Sequence, residues 1–147
     1  MTIEAQTPHR IVFINRYYYP DVSATSRLLT QLTEDMASQG QDITVITSRF
    51  SYLGGSEPWP EHDQHKNVTI RRVWSTHFGR RSDAGRLVDY LTFYVSAFRA
   101  SLRTEQIAWL IVMADPPMLS VLAAIVKKLL RCRAACWLQD VFPQIAI

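Results

Sequence analysis

Four consecutive apolar residues, Ile11, Val12, Phe13 and Ile14, lead into the polar, aromatic segment Asn15-Arg16-Tyr17-Tyr18-Tyr19-Pro20-Asp21. Beyond it, apolar positions recur at helical spacing at Leu28, Leu32 and Met36. No other feature constrains the fold so tightly. An unbroken apolar run suits a strand covered on both faces, so the pattern predicts a βα unit with its helix starting at Ala24. In open parallel sheets ligands lie at the carboxyl ends of strands, where a helix N-terminus offers free N–H groups and positive dipole to an anion. Residues 15–26 are therefore the first place to look for a site.

The chain has 147 residues, nearly half of them apolar, which is enough for one core of ordinary domain size. Charged residues make up a fifth of it, and it shows no repeat period or low-complexity tract, which argues against global disorder. A net charge of +3 favours anionic partners only weakly. Cys132 and Cys136 could pair, but residues 1–10 are polar and hold no apolar h-region, so no secretory leader is expected and a reducing cytoplasm is the simplest compartment. The longest apolar tract, residues 107–126, is interrupted by Asp115-Pro116-Pro117 into pieces too short to cross a bilayer. A strand and a helix are expected there instead.

Further along, Gly40 suits a left-handed helix cap, and residues 43–47, rich in β-branched side chains, predict a second strand. Residues 52–66 hold two glycines, two prolines and two histidines without periodicity and read as a long loop. A strand at 68–73, an irregular segment at 79–85 and a helix over 86–103 follow. The predicted stripe of that helix is Leu87, Leu91, Tyr94, Val95, Phe98 and Leu102. A strand at 109–113, a largely buried helix at 119–130 and a strand at 134–138 complete the order β-α-β-β-α-β-α-β. Such alternation predicts an α/β fold, a mostly parallel sheet with helices on both faces. Pro143 suits the first turn of a further helix. Domains rarely stop in the first turn of an apolar helix, so the chain is expected to be part of something longer.

Asp115 and Asp140 stand at the ends of the fourth and fifth predicted strands. Two carboxylates over one cleft could take a proton from a hydroxyl, hold a sugar or orient a cation. The same placements also suit ordinary turn and cap chemistry. In the first loop Asp21 and Ser23 are good cap residues, Thr25 and Ser26 could donate hydroxyls to a phosphate or sugar, and the three tyrosines must point in different directions, so at least one should line a cleft. The loop has no glycine, which excludes the dinucleotide fingerprint and the phosphate loop. His62, His65, Cys132 and Cys136 fit no familiar metal-ligand spacing, so no metal is expected. Arg71, Arg72, Arg80, Arg81 and Arg86, around Trp74, His77 and Phe78, could meet phospholipid headgroups at an anionic membrane surface or a lipid diphosphate, or form a solvated basic face. No reading helix or aromatic strand motif points to nucleic acid.

Taken together, Asn15-Arg16-Tyr17-Tyr18-Tyr19-Pro20-Asp21, Ser23-Ala24-Thr25-Ser26, Gly40-Gln41-Asp42-Ile43-Thr44-Val45-Ile46-Thr47, Asp115-Pro116-Pro117 and Trp137-Leu138-Gln139-Asp140-Val141-Phe142-Pro143 resemble the N-terminal half of glycosyltransferase family 4. The likeness spans nearly the whole chain. It is nearest to the bacterial enzymes that build capsule, colanic acid and O-antigen sugars. The chain departs from many relatives at Gly40-Gln41, where they have Gly-His. At Ser23-Ala24 and the two aspartates it replaces a glycine pair and a histidine common in others.

The resemblance implies a Rossmann-like three-layer sandwich, the N-terminal half of a GT-B architecture, with residues 1–147 as the acceptor-side domain and the C-terminal donor-binding domain absent. It further implies retaining transfer of a sugar from a nucleotide-diphosphate sugar to a glycan or polyprenyl-diphosphate-linked acceptor in cell-surface polysaccharide synthesis. The setting would be the cytoplasm, with possible peripheral contact at the inner face of the plasma membrane. No cofactor or catalytic metal is implied, the nucleotide sugar being a co-substrate. By position, Asp140 and Asp115 would face the reaction centre, and Asn15, Tyr18, Tyr19, Asp21, Ser23, Ala24, Thr25, Ser26 and Pro116 would border substrate. Groups from both halves must converge on the leaving phosphate, so the isolated chain is expected to be inactive. The alternatives are a natural non-catalytic half that docks a separate donor-binding subunit and, more distantly, a small nucleotide-binding domain unrelated to sugar transfer.

Overall fold

The apolar run at residues 11–14 lies near the centre of a six-stranded sheet in the computed structural model, which describes residues 9–55, 57–79 and 82–139. In chain order the elements are β1 (Arg10–Ile14), α1 (Ala24–Ser38), β2 (Ile43–Ser48), β3 (His62–His65), β4 (Val68–Val73), α2 (Asp83–Leu102), β5 (Ile107–Met113), α3 (Leu119–Leu130) and β6 (Arg133–Trp137). The strands lie in the order β3-β4-β2-β1-β5-β6. All neighbours are parallel except β3, which pairs antiparallel with β4. Parallel strands must be covered on both faces. Here α1 covers one face and α2 and α3 the other, giving a Rossmann-like three-layer α/β sandwich.

Strand alternation builds the two cores. Successive side chains of β1 point to opposite faces, so Val12 and Ile14 pack with Phe93, Ala97, Leu122 and Val126 under α2 and α3. Phe13, between them, joins Leu29, Ile43, Val45 and Ile70 under α1. Each buried Val, Leu, Ile or Phe among them contributes roughly 1.5–3 kcal/mol through area removed from water. At the helix starts, Ser23 accepts a hydrogen bond from the Ser26 N–H and Ser82 one from the Gly85 N–H, so both α1 and α2 begin at a capping serine. Gly40, at φ +85°, makes the left-handed turn that leads from α1 towards β2.

Three features differ from expectation. Residues 62–65, read as loop, form β3, whose two-residue link to β4 places Lys66 and Asn67 both at positive φ. Second, α2 begins at Asp83 and turns a different face inward. Asp89, Phe93, Ala97, Ala100 and Ser101 are buried, while Leu87, Leu91, Val95 and Leu102 of the predicted stripe are exposed. Small residues at 97, 100 and 101 let the helix axis approach the sheet closely, which the larger leucines would prevent. Third, α3 is buried on one face only, with Val121, Ile125 and Leu129 exposed on the other. Among the described residues no helix is long and apolar enough to cross a membrane, and both cysteines are free thiols. The expected helix around Pro143 lies outside the described residues.

Candidate functional site

Strand order reverses at β1, which has β2 on one side and β5 on the other. The chain leaves β1 and β5 on opposite faces of the sheet, and a crevice opens beyond their carboxyl ends, as such switch points dictate. A cleft of about 600 Å³ occupies this position. The loop after β1 contributes Arg16 and Tyr17, the loop after β5 contributes Asp115, and the segments after β2 and β4 contribute Tyr52 and His77. From α2 come Arg86, Asp89 and Tyr90.

A buried ion pair anchors its floor. Arg16 and Asp89 are both buried, with Arg16 Nη2 3.6 Å from Asp89 Oδ2. Asp89 also accepts hydrogen bonds from the Thr76 hydroxyl (2.7 Å), the Phe78 N–H (3.0 Å) and the Gly79 N–H (3.1 Å). Burial pushes the Asp89 carboxyl up, but the Phe78, Thr76 and Gly79 donors and the Arg16 charge outweigh it, so the group stays ionised below the usual carboxylate range. One side chain thus fixes both the segment after β4 and the arginine. The Arg16 guanidinium lies 5.3 Å from the Tyr17 ring centre and 5.0 Å from that of Tyr90.

Aromatic rings form the remaining walls. Tyr17 meets Tyr52 edge to face at 5.3 Å, and His77 stacks on Phe50 at 4.9 Å. Burial is the main reason that the Tyr17 phenol is pushed up to about 12, so it acts as a neutral hydroxyl near neutral pH. The Tyr94 hydroxyl donates to the Pro117 carbonyl, tying α2 to the loop that carries Asp115. Asp115 is half-buried, and its carbonyl accepts the Arg16 N–H.

Of the residues expected to be catalytic or to border substrate, Asp115 reaches the cleft, with Tyr17 from the tyrosine triplet beside it; Asn15, Tyr18, Tyr19, Asp21, Ser23, Ala24, Thr25, Ser26 and Pro116 lie outside its lining. Tyr18 is fully buried under α1 with its hydroxyl 2.7 Å from the Thr33 hydroxyl, and Tyr19 stacks on His65 at 3.6 Å. Asn15 is fully buried, its amide donating to the Tyr17 carbonyl. Asp21 accepts from the Val22 and Tyr52 N–H groups, both at 2.7 Å, which ties the loop after β1 to the loop after β2. Ser23 caps α1, Ser26 is buried and donates to the Asp21 carbonyl, and Ala24 and Thr25 occupy the first turn. Pro116 is buried beside Asp115, and Asp140 lies outside the described residues. Of the basic set, Arg72 is buried and Arg71 donates to the Ala100 carbonyl and the Thr104 hydroxyl, so neither is a free surface cation. Arg86 lines the cleft, while Arg80 and Arg81 are outside the described residues. Among the described residues no group of three or more His, Cys, Asp or Glu could hold a metal ion.

Sequence reasoning missed Arg16, Asp89 and Tyr90. The spacing of Asp89 with Phe93, Ala97 and Ala100 was the available signal, since these four share one helical face.

The fold and the cleft define a Rossmann-like α/β domain with a ligand-sized crevice at its switch point. A solved structure titled "Sucrose-phosphate synthase (tll1590) from Thermosynechococcus elongatus" is similar to it, with a TM-score of 0.56 at 15% identity. The match covers 88% of this chain and 32% of that one, so the chain spans about a third of that protein's length. No family model matches the chain, and neither does any curated protein.

Proposed function

We propose that this chain is the acceptor-side domain of a GT-B glycosyltransferase that moves a sugar from a nucleotide-diphosphate sugar to a lipid-linked glycan, with retention of configuration, in cell-surface polysaccharide synthesis. The observation that carries the reading is the cleft itself, which combines three tyrosine rings with Asp115 and a buried arginine at the switch point of the sheet. Aromatic faces offer apolar surface to a sugar ring, and the charged groups offer hydrogen bonds to its hydroxyls. The similarity to a structure titled as a sucrose-phosphate synthase, over one third of that chain, agrees with a domain that works beside a second one. In this reading that second domain holds the donor nucleotide, whether in the same polypeptide or as a separate subunit, and Asp115 holds an acceptor hydroxyl. The exposed stripe of Leu87, Leu91 and Val95 on α2, with Ile125 and Leu129 on α3, is then the face turned to the inner surface of the membrane, flanked by Arg99, Lys127 and Lys128.

Ligand titration followed by NMR tests this reading. Simple glycosides should shift the cleft signals of Tyr17, Tyr52 and Tyr90, whereas a nucleotide without sugar should not. Saturable binding of the plain nucleotide with no response to any sugar would instead select a nucleotide-binding domain unrelated to sugar transfer. The intact mass of the protein captured from its cell separates the two domain arrangements: a mass about twice that of this chain means one polypeptide, and an equal mass means a docking subunit.

A further inference from the structure

A second concavity lies beside the cleft. It is a groove of about 390 Å³ between α2 and α3, walled by Tyr94, Val95 and Phe98 on one side and by Met118, Val121 and Ile125 on the other. None of the described residues that line it is charged, and its one hydroxyl, on Tyr94, already donates to the Pro117 carbonyl. Val95, Met118, Val121 and Ile125 are exposed, so the groove is a wetted apolar surface of the kind that marks a binding site. Groove and cleft adjoin. Tyr90 lines the cleft and Tyr94 the groove one turn further along α2, while Asp115 lines the cleft and Met118 the groove three residues later. Residues one turn apart on a helix stand about 5–6 Å apart at their Cβ atoms, so a ligand that leaves the cleft past Tyr90 enters the groove at Tyr94.

A polar cleft that runs into an uncharged apolar groove fits a ligand with a polar head and an apolar tail. An extended peptide laid in the groove would have to satisfy backbone donors and acceptors where the walls offer none, whereas a hydrocarbon chain has none to satisfy. The charges nearby agree. Beyond the buried Asp89, α2 and α3 carry Arg99, Lys127 and Lys128 and no Asp or Glu. Apolar surface accompanied by cations alone suits a face that meets anionic headgroups, where hydrocarbon chains are within reach. We infer that the groove receives the hydrocarbon chain of an amphiphile whose sugar-bearing head lies in the cleft. This rests on the sugar-handling reading above and deepens it by giving the lipid of the acceptor a place on this chain. From Met118 to Ile125 the groove follows α3 for about 10 Å, the length of roughly eight carbons of an extended chain.

The test titrates methyl, butyl, hexyl, octyl and decyl glucoside, each below the concentration at which it forms micelles, into this chain. NMR follows the methyl signals of Val121 and Ile125 in the groove and the ring signals of Tyr17 and Tyr90 in the cleft. One molecule should move both sets over the same concentration range. Affinity should rise about twofold per methylene up to the octyl chain and then level, since full enclosure of a methylene gives about fourfold and an open groove encloses less. Ile125→Gln should flatten that rise, and Leu102→Gln, the same kind of change at an exposed position of α2 outside the groove, should leave it in place. If Ile125→Gln fails to fold, the chain-length series on the unaltered protein still decides, because a tail left in water gives no rise. Methyl glucoside that moves the cleft signals, with no gain from longer chains, overturns the inference and leaves the sugar reading standing. So does a rise that survives Ile125→Gln but is lost with Leu102→Gln. Groove signals that respond equally to octanol and octyl glucoside, with the cleft signals unmoved by any glucoside, overturn it together with the sugar reading. Groove signals that shift on dilution of the protein and not with any chain belong to contact with a second copy, and overturn it in that favour.

Discussion

Gly85 shows how little room one residue can have. A Cβ there would lie 2.8 Å from Phe78 Cβ and 2.9 Å from the capping Ser82 Oγ. Phe78 sits in the segment that Asp89 anchors, so crowding at Gly85 pushes on the wall of the cleft. Gly85→Ala gains helix propensity on α2 but should still destabilise the fold by about 1–3 kcal/mol, because Phe78 or the cap must move. A urea denaturation midpoint equal to or above that of the unaltered protein would refute this. The same scale explains Tyr18: a tyrosine in an aromatic loop reads as a ligand contact, yet Thr33 one helix away offers its hydroxyl a buried partner.

Among the elements, β3 is the most conditional. His62-Asp63-Gln64-His65 has neither β-branched residues nor an apolar alternation, and nothing in its local sequence favours a strand. Its support comes from elsewhere. Arg72, buried on β4, donates to Asp63 at 2.9 Å, to the Tyr19 carbonyl at 2.9 Å and to the Pro60 carbonyl at 3.3 Å, with its guanidinium over the Trp59 ring. Glu34 of α1 accepts from His65 and Lys66 at the turn. Arg72→Met keeps the apolar volume but strands those acceptors, so a loss of about 3 kcal/mol is expected. Amide exchange should locate it, with β3 and its turn losing protection while β1 and β5 keep theirs. Uniform loss across the sheet would mean that Arg72 serves the whole core.

For the whole molecule, titrating groups set the limits of stability. The Arg72 and Lys66 hydrogen bonds are the main reasons that Asp63 and Glu34 titrate below their usual range, and Asp89 does so because its donors outweigh burial. A lowered carboxyl contributes stability that is complete above its unfolded pKa, about 4, and is lost as pH falls through the lower folded value. Burial pushes Tyr17 and Tyr18 up to about 12. Their contribution is complete below the unfolded value, about 10, and is lost as pH rises through the folded one. Stability should therefore fall on both sides of a broad plateau. Denaturation midpoints measured against pH should show a shallower acid limb for Asp89→Asn and a shallower alkaline limb for Tyr18→Phe. An unchanged limb in either variant would remove that residue from the account.

The α/β layering, the parallel order of the inner strands and the position of the crevice were legible from short apolar runs and their spacing. These follow from local periodicity and from the chain geometry of crossovers, which any sequence of this pattern must obey. The inward face of α2, the existence of β3 and the membership of the cleft were decided only in three dimensions. Leu87 and Leu91 look like core by hydrophobicity alone, but the sheet accepts the face with small residues and a carboxylate because Arg16 and residues 76–79 arrive to satisfy that carboxylate. A polar residue goes inside when its partners are already there, and those partners are separated from it by up to 73 positions, as Arg16 is from Asp89.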